Sequence, residues 1–346
     1  MSEIDLGITC DMHVHVREGD MCELVTPSIR DGGVSVCYVM PNLQPPITTL
    51  DRVVAYKKKL QELAPETTFL MSFYLSRDLT PELIHEAARA KAIQGVKCYP
   101  AGVTTNSSAG VDPNDFTAFY PIFKAMEEEH LVLNLHGEKP SVAKEDIHVL
   151  NAEESFLPAL KKLHTDFPNL KIILEHCTTE AAVNAIEEIN KNVTNISDVK
   201  VAATLTAHHL YLTIDDWAVA RDRRALVAAA TSGKPYFFFG SDSAPHPLEM
   251  KGRHIGVCAG VYTQSLAIPY VAQVFHEANA MDKLKGFVSD FGLAFYDVPQ
   301  SEIRSTQHAI LYKQEQTVQD TIQGKNNLKV ALFKPGEKLD FSVKWQ

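Results

Sequence analysis

Short apolar runs recur between residues 8 and 239, and each is followed by a polar turn and a stretch with helical spacing. The runs are rich in β-branched and aromatic residues and do not alternate with polar positions, which is typical of parallel strands buried on both faces. They therefore predict eight buried parallel strands. The runs are residues 8–12, 34–40, 67–74, 93–98, 131–135, 171–174, 201–203 and 236–239.

Helix start signals lie between these runs. Thr80 and Pro81 offer an N-cap followed by proline at the first helical position, and Thr179 precedes a second helical pattern. Alternating strands and helices predict an α/β fold with a parallel sheet and right-handed crossovers. Eight repeats favour a closed (β/α)8 TIM barrel over an open sheet. The first run lacks a following GxGxxG motif, which disfavours a dinucleotide-binding fold.

The pattern changes after about residue 262. Helical spacing continues to about residue 296, and from residue 306 strand-like pieces at 309–312 and 329–333 mix with turns. We found no Pro/Gly/Ser linker that would split the chain. We therefore expect a single barrel domain over residues 1–346, with about 297–346 as a C-terminal extension packed on the barrel.

Composition narrows the class of protein. The 346 residues are 45% hydrophobic and 22% charged, which is ordinary for a globular protein, and the formal charge of −10 disfavours nucleic-acid and anionic membrane partners. Six scattered cysteines without a CxxC pair indicate reduced thiols in a cytoplasmic protein. We expect neither a signal peptide nor a membrane span, because residues 1–10 lack a basic region and no run approaches ~18 apolar residues.

Ligand-type side chains follow the apolar runs. His13 and His15 end the first run, and because residues two apart in a strand point the same way, both face the barrel axis. Active sites of barrels form where the carboxyl ends of the strands meet, so ligand-type residues at the ends of different runs are expected in one cluster. The ends of four later runs carry Lys97, His136, His176 and Asp242.

Each of these residues alone has a simpler interpretation. An HxH pair is more often accidental than metal-binding, and a lone histidine such as His136 is more often a satisfied core residue. Lys97 is compatible with a surface position and Asp242 with a helix cap. Six such residues at the ends of five apolar runs are hard to obtain by chance. Burying several titratable groups together without a bound ion would also cost free energy. Since imidazole and carboxylate are good zinc ligands, the pattern predicts a metal site.

With these residues in place, the chain resembles the amidohydrolase superfamily and, within it, the dihydroorotase family of the single-function, pyrimidine-pathway type. The resemblance covers nearly the whole chain. The Lys-x-Tyr-Pro-Ala block with its Thr-Thr-Asn loop, together with DSAPH, separates dihydroorotases from hydantoinases and adenosine deaminases. The blocks that carry it are DMHVHVREGDM (11–21), MPNLQPPITT (40–49), GVKCYPAGVTTNSSAGV (95–111), LNLHGE (133–138), LEHCTT (174–179), ATLTAHHL (203–210) and GSDSAPHP (240–247).

The resemblance implies a binuclear zinc centre with two Zn²⁺ ions per subunit. Lys97 is implied to bridge the ions as an N6-carboxylysine, a carbamate formed with carbon dioxide. This modification replaces a cation that would repel the metals by a two-oxygen anion. The implied ligands are His13, His15 and Asp242 for one ion and His136 and His176 for the other.

The implied reaction is the reversible cyclisation of N-carbamoyl-L-aspartate to L-dihydroorotate in de novo pyrimidine biosynthesis. In the hydrolytic direction, a hydroxide that bridges the two zinc ions attacks the ring carbonyl. Asp242 is implied to act as general acid/base, taking the proton of the hydroxide and delivering it to the leaving amide nitrogen.

Further residues are implied to contact the small-molecule substrate. A guanidinium such as Arg17 can hold a carboxylate by two parallel hydrogen bonds, although a rim salt bridge is its simpler interpretation. The loop over 101–110 has the small, polar composition of a lid. The implied substrate-binding residues are Arg17, Asn42, His246 and Ala259, and the lid residues are Thr104 and Thr105.

Two segments depart from the family pattern. The first lies after Trp217, which is followed almost directly by the basic stretch 221–224. The family has a longer segment there, part of which supplies backbone contacts to the pyrimidine ring. The second is the turn near 141–146, which is a few residues short. Either residues are deleted or loop residues are missing from the sequence. A hydantoinase- or allantoinase-like enzyme and a non-catalytic scaffold are the alternatives. We expect a homodimer in the cytoplasm.

Overall fold

The computed structural model describes residues 3–102, 105–107, 110–212, 222–252 and 258–346. Strands and helices alternate through the first two thirds of these residues, which confirms the predicted α/β class. In the part of the chain described here, no helix combines the length and the apolarity that crossing a membrane requires.

Each of the eight predicted runs contains a strand. Strand β1 (Ile4–Asp5) precedes them, and the run at 67–74 holds two short strands separated by Met71. The parallel strands are β2 (Cys10–Val14), β3 (Val36–Val39), β4 (Thr68–Leu70), β5 (Ser72–Tyr74), β6 (Gly95–Cys98), β7 (Val132–Leu135), β8 (Lys171–Leu174), β9 (Val201–Leu205) and β10 (Phe237–Phe239).

These strands neighbour one another in chain order. One sheet has the order β2-β3-β4 and the other β5-β6-β7-β8-β9-β10, and all of their pairings are parallel. Hydrogen bonds also join the first strand to the segment after the last. The amide of Asp242 donates to the carbonyl of His13 (2.9 Å), and the amide of His15 donates to the carbonyl of Ser243 (3.1 Å). These hydrogen bonds bring the first and last parallel strands together, as the closure of a (β/α)8 barrel requires.

Asp11 reinforces this closure from inside the protein. Its buried carboxylate accepts hydrogen bonds from the amides of Ser241 (2.7 Å), just after β10, and of His13 (3.2 Å), on β2. Burial raises the pKa of Asp11 to about 6, although both amides favour the charged form. The seam between the first and last strands therefore contains a polar contact that no apolar side chain can replace.

Helices lie between the strands, and threonine side chains cap several of them. The predicted caps are confirmed, because Thr80 accepts a hydrogen bond from the amide of Leu83 and Thr179 from that of Ala182. The α-helices are α1 (Gly19–Val25), α2 (Ser28–Asp31), α3 (Leu50–Leu63), α4 (Pro81–Arg89), α5 (Tyr120–Glu128), α6 (Ala152–Asp166), α7 (Glu180–Ile189), α8 (Ala207–Tyr211), α9 (Arg223–Ala230), α10 (Ala267–Glu277) and α11 (Phe291–Phe295), with a π-helical turn at Gly286–Asp290.

The last residues form antiparallel strands. These are β11 (Ala309–Thr317), β12 (Thr321–Gln323), β13 (Lys329–Ala331) and β14 (Lys338–Trp345). β11 pairs with β14 and also with β1, so the first described residues complete a sheet built from the last ones. Phe333 extends from this region and packs against Tyr211 and Tyr270, next to the carboxyl end of β9.

Candidate metal centre

Three ligand-type side chains meet where the first and last barrel strands end. Oδ1 of Asp242 lies 3.3 Å from Nε2 of His13 and 3.1 Å from Nε2 of His15. One ligand atom from each residue lies within 4.8 Å of the other two. Two imidazole nitrogens and a carboxylate oxygen at these separations are a suitable donor set for a zinc ion.

Two further histidines extend this cluster across the barrel mouth. The rings of His136 and His176 lie 4.5 Å apart, centroid to centroid, and His176 lies 5.4 Å from His13. Nε2 of His136 is 3.1 Å from Oε2 of Glu138. The four predicted histidines therefore share one site, at the ends of three different strands.

Lys97 lies fully buried on β6. Its Nζ has no hydrogen-bond partner among the described residues, and it lies 5.2 Å from the centre of the Tyr99 ring. Burial lowers the pKa of Lys97, although Glu175 and Asp242 oppose that shift. A buried amine that is more easily neutralised and lacks a partner fits the chemistry of carbamate formation, which requires a neutral amine.

The protonation states of the cluster suit metal binding. Burial lowers the pKa of His15 to about 3 and that of His176 well below its usual value, so both rings are neutral at pH 7. Burial alone would raise the pKa of Asp242, but His13 and its neighbouring histidines hold it well below the usual range. Neutral imidazoles and an ionised carboxylate are the forms that bind cations.

The first two histidines are oriented through their other ring nitrogens. Nδ1 of His13 lies 2.7 Å from Oε2 of Glu175, and Nδ1 of His15 lies 2.9 Å from Oδ1 of Asn42. Burial raises the pKa of Glu175, but His13 and Lys97 outweigh it and the net shift is downward. Sequence reasoning missed Glu175, although an acid directly before a predicted ligand was an available signal.

Backbone conformation at the site is unusual. Arg17, His176 and Asp242 have positive φ angles of 57°, 39° and 46°, in the left-handed region that side chains seldom occupy. Such residues cost roughly 1–3 kcal/mol each and concentrate at functional sites. At Gly240 an added Cβ would lie 2.8 Å from Thr204 and 3.1 Å from Cβ of His13, so glycine is needed for the close approach beside His13.

Three of the four predicted substrate-binding residues lie together on one side of the mouth. The guanidinium of Arg17 donates from Nε to the carbonyl of Pro245 (3.2 Å), and its Nη2 lies 3.3 Å from Nε2 of His246. The His246 side chain bonds to the backbone of Ala259, which is itself exposed. Burial and the charge of Arg17 lower the pKa of His246 to about 4, so this ring is also neutral at pH 7.

Asn42 connects the metal cluster to the predicted lid. Its Nδ2 donates to the carbonyl of Thr105 (3.0 Å), and Nδ2 of Asn106 donates to the Asn42 carbonyl (2.9 Å). Thr104 and Trp217 lie outside the described residues. The described part of the lid is thus hydrogen-bonded to the residue that also orients His15.

A second histidine pair, His208 and His209, lies at the start of α8. Both rings are buried, with centroids 4.2 Å apart, and neither ring nitrogen of His209 has a partner among the described residues. Burial lowers the pKa of His209 to about 4, and the charges of Asp242 and Glu138 oppose the shift. This pair lies within the block ATLTAHHL (203–210), but no role was predicted for it.

Comparison with known proteins finds close relatives along the whole chain. It is 70% identical, over 361 aligned positions, to a dihydroorotase of Saccharomyces cerevisiae, covering 100% of this chain and 99% of the relative. It is 47% identical over 348 positions to a probable dihydroorotase of Schizosaccharomyces pombe, covering 97% of each. The crystal structure of the S. cerevisiae dihydroorotase in complex with 5-fluoroorotic acid matches with a TM-score of 0.98, 70% identity and coverage of 100% and 99%. No family model matches the chain.

The length of the first alignment bears on the segments that looked short. Its 361 positions exceed the 346 residues of this chain, all of which are covered. The S. cerevisiae relative therefore has residues without a counterpart in this chain, and the two short segments stay predictions as their places.

Proposed function

This chain belongs to the dihydroorotase family of cyclic amide hydrolases, and on that premise we propose that it works through a binuclear zinc centre at the barrel mouth. The proposed reaction is the reversible cyclisation of N-carbamoyl-L-aspartate to L-dihydroorotate. The observation that carries the proposal is the cluster of His13, His15 and Asp242, whose donor atoms lie within 4.8 Å of one another.

The proposed ligand set consists of side chains at the ends of five barrel strands. Lys97 would hold both ions through a carbamate: its neutral amine would form a nitrogen–carbon bond with carbon dioxide as one C=O π bond becomes a C–O⁻, and the amine would lose a proton to solvent. The buried Nζ, which has no hydrogen-bond partner in the described part of the chain, supports this role, because an unpaired buried ammonium is costly and a carbamate between cations is not. The proposed ligands are His13, His15 and Asp242 for one ion and His136 and His176 for the other.

Asp242 is the proposed general acid/base. When bound, the zinc ions supply Lewis acidity and a water that ionises near neutral pH. Asp242 accepts the proton of the attacking water and passes it to the amide nitrogen that leaves the ring. Its lowered pKa keeps the carboxylate ionised at pH 7, and its place beside His13 and His15 puts it within the proposed metal cluster.

The substrate carboxylate is proposed to bind Arg17, Asn42 and His246. Arg17 and His246 are neighbours, and an arginine can hold a carboxylate by two parallel hydrogen bonds. Ala259 is proposed to offer backbone groups to the ring, and Thr104 and Thr105 to close over it. An acid-binding wall favours dihydroorotate over hydantoin, which has no carboxylate, and the filled ligand positions disfavour a scaffold.

The test is zinc content together with hydrolysis of dihydroorotate and hydantoin, in wild type, Lys97→Ala and the control Lys59→Ala. We expect two zinc ions and activity on dihydroorotate in wild type and in the control, where an exposed lysine is changed. Lys97→Ala should lose activity and regain part of it with added small carboxylates. Full activity of Lys97→Ala without them contradicts the bridged site, and a preference for hydantoin contradicts the substrate.

Assembly and location follow from the family resemblance alone. We propose a homodimer that works in the cytoplasm. Analytical ultracentrifugation of the purified chain tests the dimer, and a single sedimenting species of about 38 kDa would contradict it.

A further inference from the structure

Glu175 is a fully buried carboxylate beneath the ligand cluster. Its Oε2 accepts hydrogen bonds from Nδ1 of His13 (2.7 Å) and from the hydroxyl of Thr204 (2.6 Å), and its Oε1 accepts one from Nδ2 of Asn134 (2.6 Å). Three donors from three different strands therefore converge on this one side chain.

The donors are themselves fixed by buried partners. Oδ1 of Asn134 accepts a hydrogen bond from the hydroxyl of Tyr38 (2.8 Å). Oγ1 of Thr204 accepts one from the amide of His176 (2.8 Å), which is a second proposed ligand. Glu175 thus has a single orientation, and through Thr204 it is connected to the backbone of the other half of the site.

This arrangement decides which nitrogen of His13 faces the cluster. A carboxylate only accepts hydrogen bonds, so the proton lies on Nδ1 of His13 and the lone pair lies on Nε2, the atom 3.3 Å from Asp242. His15 is oriented differently, because its Nδ1 bonds to the neutral amide of Asn42. An anionic partner also makes the opposite ring nitrogen a stronger donor to a metal.

We propose that Glu175 is a positioning residue that fixes the tautomer and orientation of His13 and, through Thr204, the backbone at His176. It thereby sets the affinity of the site for zinc. The inference rests on the proposed zinc centre. A solely structural role is a weaker explanation, since a buried charge seldom stabilises a fold more than a well-packed neutral group does.

The experiment compares Glu175→Gln with Tyr38→Phe in the full-length protein. Glu175→Gln keeps the shape and removes the charge, and the dissociation constant of one zinc ion should rise by about 10- to 100-fold in competition with a chelator. The visible absorption of the cobalt-substituted protein should change, and kcat should fall while KM stays within about twofold of wild type. Tyr38→Phe removes the hydroxyl that fixes Asn134 but leaves the charge of Glu175 and its bond to His13 in place. Its loss of zinc affinity and its change in the cobalt spectrum should therefore be well below those of Glu175→Gln.

Wild-type zinc affinity and an unchanged cobalt spectrum in Glu175→Gln would overturn the inference while leaving the proposed function intact. Equal losses in Tyr38→Phe would overturn it too, because they would indicate general disruption of the network. If Glu175→Gln does not fold, Thr204→Val replaces it: losing one donor to Oε2 should weaken zinc binding about 3- to 10-fold, and unchanged affinity overturns the inference. A wild-type protein that neither binds zinc nor hydrolyses dihydroorotate refutes the proposed function and this inference together.

Discussion

The floor of the barrel mouth (His13, His15, Asp242 and Glu175) and its rim (Arg17, Asn42, His246 and Thr105) use similar side chains but hold them differently. Floor residues lie at strand ends and bond to other buried side chains, as His13 does to Glu175. Rim residues lie on loops and bond partly to backbone carbonyls, as Arg17 does to that of Pro245.

This difference separates two tasks. A metal site requires fixed donor positions, which strand ends with buried partners provide. A substrate site has to open and close, which loops allow. Asn42 belongs to both regions, because its amide oxygen bonds to His15 and its amide nitrogen to the carbonyl of Thr105. Changes in the floor should therefore affect metal binding or turnover, and changes in the rim should affect substrate affinity.

The largest effect is expected for Asp242→Asn in the floor. The amide keeps an oxygen near His13 and His15 but is a poor proton acceptor, so kcat for dihydroorotate should fall by about 10²- to 10⁴-fold. KM should change little. Steady-state kinetics on zinc-loaded protein measure both, and Asp282→Asn, at an exposed carboxylate, is the control. A variant that keeps more than about a tenth of the wild-type kcat would refute the general acid/base role.

A smaller and different effect is expected for Arg17→Gln in the rim. Loss of two charge-assisted hydrogen bonds to the substrate carboxylate should raise KM about 10- to 100-fold. Zinc content should stay at the wild-type level, since Arg17 contacts Pro245 and His246 rather than the floor. Arg52→Gln, which removes a half-buried guanidinium paired with Glu18, is the control. Loss of zinc in Arg17→Gln would contradict the expectation that changes in the rim affect substrate affinity and leave metal binding intact.

The smallest effect concerns the pH dependence of stability. The pKa of His209 is lowered to about 4, so the folded protein binds this proton less tightly than the unfolded chain, and the free energy of unfolding falls as the pH falls below about 6.5. Between pH 7.5 and pH 6 the wild type should lose about 1 kcal/mol more than His209→Asn. Urea unfolding with a chelator present measures this, and exposed His148→Asn should behave as wild type. If the free energy of unfolding depends on pH equally in wild type and His209→Asn, the lowered pKa of His209 is refuted.

Sequence reasoning anticipated those features that periodic patterns encode. Apolar runs located the strands, and two-residue spacing brought His13 and His15 to one side of β2. The same logic missed Glu175, because its role depends on neighbours from β2, β7 and β9 that no local pattern relates. It also missed β1, since two residues are too few for a periodicity.

Backbone conformation and side-chain burial at the site were also not predicted from the sequence. The positive φ angles of His176 and Asp242 did not follow from residue type, because histidine and aspartate enter that region more often than most residues but still only at a small fraction of positions. The sequence also did not predict that both ring nitrogens of His209 lack a partner among the described residues, since burial of a motif histidine is a property of the folded chain.

The hydrogen bond from the amide of Asp242 to the carbonyl of His13 has a consequence during synthesis on the ribosome. This bond joins the first barrel strand to the segment after the last one. Before β10 and Asp242 have emerged from the ribosome, the nascent chain therefore has an open sheet and lacks one of the proposed ligands. Such a chain lacks the proposed proton acceptor, Asp242, and has no seam to close. The complete site can therefore form only late in translation, when nearly all of the barrel strands have emerged.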